Sequence, residues 1–223
     1  MCEEAAIISF AASHLLMSRL LILAFASLLL TLLHGQESGK LQPPIITLPV
    51  RIHLVQSDDT PAMHTTLVEA DVRRIFGKVN MIWAAAGIQF EIESIVQTKA
   101  TALKPEMRLK PEFDRVHAMI PKERLCATAI DVCYVKEVRP NGFYYGEPVV
   151  VKDTAKLREV PGGIDEPLPR VTAHEIGHAL GLEHRQETTN LMQSGTTGYS
   201  LNETEISIAR AKAEVFFKSP VAK

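Results

Sequence analysis

Ala173-His174-Glu175-Ile176-Gly177-His178-Ala179-Leu180-Gly181-Leu182-Glu183-His184 places three histidines and a glutamate at spacings that decide what this chain folds around. On an α-helix His174 and His178 stand one turn apart, so both imidazoles leave the same face and can meet one cation. Glu175 follows the first of them and faces the space beside that cation, where it can take a proton from water. Gly181 can enter the left-handed region, ending the helix and turning the chain so that His184 returns as a third ligand. Three neutral imidazoles leave a fourth position around zinc open for water, as in catalytic sites, whereas four protein ligands close a structural one. Zinc so held lowers the pKa of its water to about 7 and polarises a carbonyl. Five fixed positions at about one in twenty each recur by chance in about one chain in ten thousand of this size.

Outward from this stretch, residues 170–180 form the predicted helix, preceded by a loop at 160–169 rich in Gly and Pro. Residues 203–217 have helical spacing, with Asn202 as candidate N-cap and Glu205 three residues on. Far upstream, Val50, Ile52 and Leu54 alternate with Arg51 and His53, which predicts a strand within residues 45–56. Residues 65–86 carry Leu67, Val68, Val72, Ile75, Phe76, Val79, Ile82 and Trp83 as one helical stripe, with Gly87 at the C-cap position. Alternation resumes at 88–96 as a second strand, and a strand-helix-strand crossover implies parallel neighbours. Pro105, Pro111 and Pro121 mark 98–125 as loop with a short strand or helix around 115–120. Strands follow at 129–138, at 143–146 after a Pro140-Asn141-Gly142 turn, and at 148–151.

The 223 residues, 46% hydrophobic and 22% charged, suit one globular catalytic domain at 45–223, expected to be monomeric. A formal net charge of -2 without a long basic run argues against a nucleic-acid partner. The apolar stretch 20–33 after Arg19 reads as an export signal within 1–35, with Met17 the better start and cleavage near Gly35 or Gln36, before a linker at 36–44. The expected location is therefore extracellular or periplasmic, with an uncleaved membrane anchor as the alternative. Cys126 and Cys133 remain after that segment, and they read equally as a local disulfide or as two small thiols. His53, His64 and His117 read as surface or hydrogen-bonded histidines.

The motif H-E-x-x-H-x-x-G-x-x-H at His174, Glu175, His178, Gly181 and His184 resembles that of the metzincin clan of zinc peptidases. Asn190-Leu191-Met192-Gln193-Ser194-Gly195 resembles the clan's Met-turn. The resemblance implies an α+β zincin fold: a twisted, mixed five-stranded sheet with two long helices above a cleft, and a small lobe with one helix below. It implies one catalytic Zn2+, Glu175 as general base, and Met192 as a hydrophobic floor that does not ligate. It also implies a peptide or protein substrate paired with an edge strand at Phe143, Tyr144, Tyr145 and Gly146; a plain hairpin is the other reading. Arg185, after the third ligand, matches no subfamily marker, and Tyr199 lies seven residues past Met192 as a candidate assisting group. The function these features imply is endopeptidase cleavage by zinc-bound water activated by Glu175. The alternatives are a catalytically silent zinc-containing binding module, which has no need of Glu175, and a zinc hydrolase of non-peptide amides.

Overall fold

A computed structural model describes residues 44–126, 128–195 and 197–216. The expected export signal and most of the expected linker lie outside these residues. The first strand, β1, spans Ile46–Gln56. Helix α1 follows at Glu69–Trp83, continued by a 3-10 turn at Ala84–Ala86 that ends on Gly87 at φ 62. The apolar stripe buries Val72, Ile75, Phe76, Val79, Ile82 and Trp83 as its period requires. The helix starts at Glu69 and not at Thr65, because the Asp71 carboxylate accepts the Val68 N–H at 3.1 Å and leaves the Val68 side chain exposed.

Strand β2 runs through Ile88–Lys99, parallel to β1 as the crossover demands. Beyond it, residues expected to be mainly loop form α2 at Glu112–Met119, earlier than the 115–120 segment anticipated. Pro111 stands at its N-cap, where a missing N–H costs no helical bond. Strand β3 spans Ile130–Val135 and is buried along its whole length, as a central parallel strand should be. The edge strand β4 is Gly142–Tyr144, starting one residue earlier and ending two earlier than the sequence suggested. Gly142 belongs to the strand and not to the turn, while Gly146 at φ 90 lies beyond it and turns the chain away. Strand β5 is Val149–Lys152. The sheet order is β2-β1-β3-β5-β4, with only β4 antiparallel to its neighbour.

One face of this mixed sheet packs Leu48, Val50, Ile52 and Leu54 under α1 and the motif-bearing helix α3, Pro167–Ala179. Helix α3 begins three residues before the expected position, since Pro167 and Pro169 fall in the first turn, whose N–H groups have no partner in any helix. The opposite face packs Val55, Cys133, Val135 and Val150 against Val116 and Met119 of α2. His53 is wholly buried there, its ring nitrogens 2.8 Å from Thr98 Oγ1 and 2.8 Å from Asp131 Oδ1, the hydrogen-bonded histidine its isolated position implied. Cys126 and Cys133 are free thiols. Past α3 the chain is irregular until α4 at Glu203–Phe216. Among the described residues no helix is long and apolar enough to cross a membrane.

Candidate active site

Helix α3 is fixed on the sheet before it offers any ligand: Tyr134 of β3 and Thr172 share a buried hydroxyl contact at 3.0 Å. Further along the same helix, His174 and His178 both line a cleft of about 340 Å³. Gly181 takes φ 83 and Leu182 N–H closes on the Gly177 carbonyl at 2.9 Å, so the chain leaves the helix and returns with His184. The three Nε2 atoms lie 3.2, 3.2 and 3.3 Å apart.

The ring orientations have separate causes. His174 Nδ1 lies 2.7 Å from the Leu191 carbonyl and His178 Nδ1 lies 2.8 Å from the Leu182 carbonyl. Donation to those carbonyls puts the proton on Nδ1 and leaves Nε2 as an acceptor in both rings. Acceptor nitrogens crowded together repel unless a cation stands among them. A tetrahedral zinc with nitrogen bonds of 2.0–2.1 Å requires an edge of about 3.3 Å between ligand atoms, which these spacings meet. Burial favours the neutral form of the two helical histidines, drawing His174 down to about 4 and lowering His178.

Glu175 is 6% exposed and lines the same cleft. Burial pushes its carboxyl up to about 8; a divalent cation nearby would favour the carboxylate instead. Gly142 of β4 makes room for it, because a Cβ there would stand 2.8 Å from Glu175 Cγ and 3.0 Å from the Val150 carbonyl. The edge strand therefore runs directly past the proposed base. Phe143, Tyr144 and Tyr145 line the cleft as well, while Gly146 does not.

The described part of the chain that contains all these groups matches the Matrixin peptidase family over residues 51–211. The chain belongs to the matrixin family. This matrixin is thereby a member of the metzincin clan of zinc metallopeptidases, as its motif implied, and the family implies zinc as the cation that the three histidines can bind. Similar solved structures include mature mirolysin of Tannerella forsythia in complex with a cleaved peptide, at 12% identity over 75% of this chain and 91% of that one, TM-score 0.49. Metalloproteinase-II from Bacteroides fragilis is similar at 15% identity over 77% of this chain and 55% of that one, TM-score 0.43. Archaemetzincin from Methanopyrus kandleri is similar at 14% identity over 80% and 98%, TM-score 0.39. No curated protein matches the chain.

Met192 is fully buried beneath α3, and a Cβ on Gly177 would stand 2.5 Å from its sulfur. The second variable position between His174 and His178 thus suits a glycine, because the methionine occupies the space a side chain would need. Tyr199 does not reach the cleft: its hydroxyl donates to the Pro161 carbonyl at 3.2 Å, and its ring lies against Gly162 and Gly163. Arg185, unplaced by the motif, donates to Glu205 of α4 at 3.0 Å and passes its N–H to the Met192 carbonyl at 2.8 Å.

Arg170 escaped the sequence reading. It is 1% exposed in the first turns of α3, donating from Nε to the Thr197 carbonyl at 2.8 Å and from Nη2 to the Arg158 carbonyl at 3.0 Å. Thr197, which lines the cleft at φ 46, is held in that left-handed conformation partly by this bond. The available signal was a lone arginine in a helix otherwise apolar or small from Leu168 to Ala173, since a buried guanidinium must find acceptors.

Proposed function

We propose that this matrixin is a zinc-dependent endopeptidase that hydrolyses extended peptides lying along β4. The observation that carries the reading is the convergence of three imidazole nitrogens at ligand spacing beside the buried Glu175, on the cleft bordered by the sheet's last strand. His174, His178 and His184 would hold the metal. When bound, zinc would supply Lewis acidity, polarising the scissile carbonyl and making water acidic near neutral pH.

The chain's own groups do the rest. The β4 backbone offers hydrogen bonds to an added strand and so holds the peptide extended past Glu175. The Glu175 carboxylate takes one proton from the water that attacks the carbonyl carbon, and delivers it to the amine as the carbon–nitrogen bond breaks. Met192 packs under the ligand helix and keeps the floor dry. Export through the apolar stretch at 20–33 belongs to the same proposal, checked by N-terminal sequencing of the protein recovered outside the cell.

Digestion of a mixed peptide library by the full chain, with and without a zinc chelator, tests the reading. Glu175→Ala should keep the metal and lose cleavage by two to four orders of magnitude, the range removal of a general base commonly costs. Equal cleavage by the variant, or a wild-type chain that binds zinc and cuts nothing, would reject the endopeptidase. Cleavage of small non-peptide amides with no peptide turnover would favour the other hydrolase class.

A further inference from the structure

We propose that the stacked rings of Phe113 and Tyr145 form a subsite selecting an aromatic side chain two or three residues before the cut bond, an inference that rests on the peptidase reading above. Tyr145 follows β4 and is 67% exposed, an unusual state for a tyrosine with a fixed packing partner. Its ring lies 4.8 Å from that of Phe113 with only 5° between the planes. Phe113, in the first turn of α2, is itself set edge-on to Phe143 at 6.5 Å and 66°. Phe143 is buried, so the exposed ring is braced through two aromatic contacts to the sheet. One face of Tyr145 is covered by Phe113, and all three rings line the cleft that holds His174 and Glu175.

The position along a substrate follows from the strand. Among the described residues β4 is the last strand of the sheet, so its outer edge is open to pairing. Gly142 touches Glu175, which marks where the reacting bond must lie. An antiparallel pairing is the more stable per residue, and a peptide so added runs opposite to β4. Residues after Gly142 then face those that precede the cut. Tyr145 is three residues along, about 10 Å away at the rise of a strand, which corresponds to the second or third residue before the bond. A flat ring arriving there extends the stack on the open side of Tyr145. A side chain that merely shielded Phe113 from water would affect stability and leave selectivity alone.

Zinc-loaded full chain would be assayed on peptides that differ only at those two positions, carrying Phe, Tyr or Trp against Ala. The wild type should prefer the aromatic peptides, and Tyr145→Ala should lower the aromatic-to-alanine ratio of kcat/KM by about two- to tenfold, the usual worth of an aromatic pair. Phe113→Leu, which keeps apolar volume under the ring, should move the ratio in the same direction. A second readout is the Kd of the same peptides for the Glu175→Ala chain, with Tyr145→Ala added in the double variant. Cleavage with no aromatic preference, a preference on the far side of the cut, or a ratio identical in wild type and Tyr145→Ala would overturn the subsite while leaving the peptidase standing. A wild type that cleaves nothing would sink both.

Discussion

His174 and His178 come to the candidate metal centre from a helix, whereas His184 and Met192 come from a stretch with no regular structure, among the described residues, beyond two isolated bridges. The helical half is held by distributed contacts: Val171, Ala173 and Ile176 sink into a core shared with α1 and the sheet. The irregular half is held by a few discrete bonds centred on Glu205. Its fully buried carboxylate accepts Arg185 Nε at 3.0 Å, Asn190 Nδ2 at 2.8 Å and Asn202 N–H at 2.8 Å. Asn190 in turn accepts the Met192 N–H at 2.7 Å. One acid thus ties the third-ligand arm, the Met-turn and the start of α4 together. Packing spread over many atoms degrades gradually, but a polar hub fails when one group is lost.

Zinc removal should expose this difference most strongly. Metal bound only by the native state contributes about 4 kcal/mol when its concentration is a thousand times Kd, so the chelated chain should melt at a much lower temperature. Hydrogen exchange should then accelerate first in residues 182–202, with the amides of β1 and β3 little changed. A uniform loss of protection would break the distinction between the halves. Glu205→Ala comes next, at about 3 kcal/mol by denaturant unfolding, because it leaves the buried Asn190 amide and the Asn202 N–H without their acceptor. Zinc affinity should fall ten- to a hundredfold by chelator competition, the range seen when groups orienting ligands are removed. Unchanged affinity would mean that His184 is placed without the hub.

The same division governs what could be read from the sequence. The stripe from Val72 to Trp83 and the alternation in β1 are periodic signals, and both elements lie where the period put them. The convergence of the three histidines was legible because helical pitch and one positive-φ glycine fix its geometry locally. Asn202 and Glu205 were legible as a cap, and the Glu205 N–H does close on Asn202 Oδ1 at 2.9 Å. Nothing local says that the same carboxylate also receives Arg185 and Asn190, since that depends on how an irregular chain folds back. Prolines misled twice: Pro111 reads as limiting a helix and Pro167 as part of a loop, but both stand at helix starts. Phe113 and Tyr145 meet across 32 positions, a contact between two separate elements that no spacing rule reports.

Two glycines on helices finish the comparison with effects of opposite sign. Gly177 faces Met192, and a Cβ there would stand 2.5 Å from the sulfur and 3.2 Å from the terminal methyl. Gly177→Ala should therefore destabilise by about 2 kcal/mol through overpacking, despite the better helix propensity of alanine. Adding Met192→Ala should return part of that loss, since the space the new methyl needs is then vacated; a double-mutant cycle with no coupling would show that the helix and the Met-turn do not press on each other. Gly77, on the exposed side of α1, has nothing within 4 Å of the same ideal atom. Gly77→Ala should accordingly stabilise by about 1 kcal/mol, the ordinary gain in an exposed helix interior. Equal signs at the two sites would place Gly177 among plain helix residues and remove the steric reason for a glycine between the first two ligands.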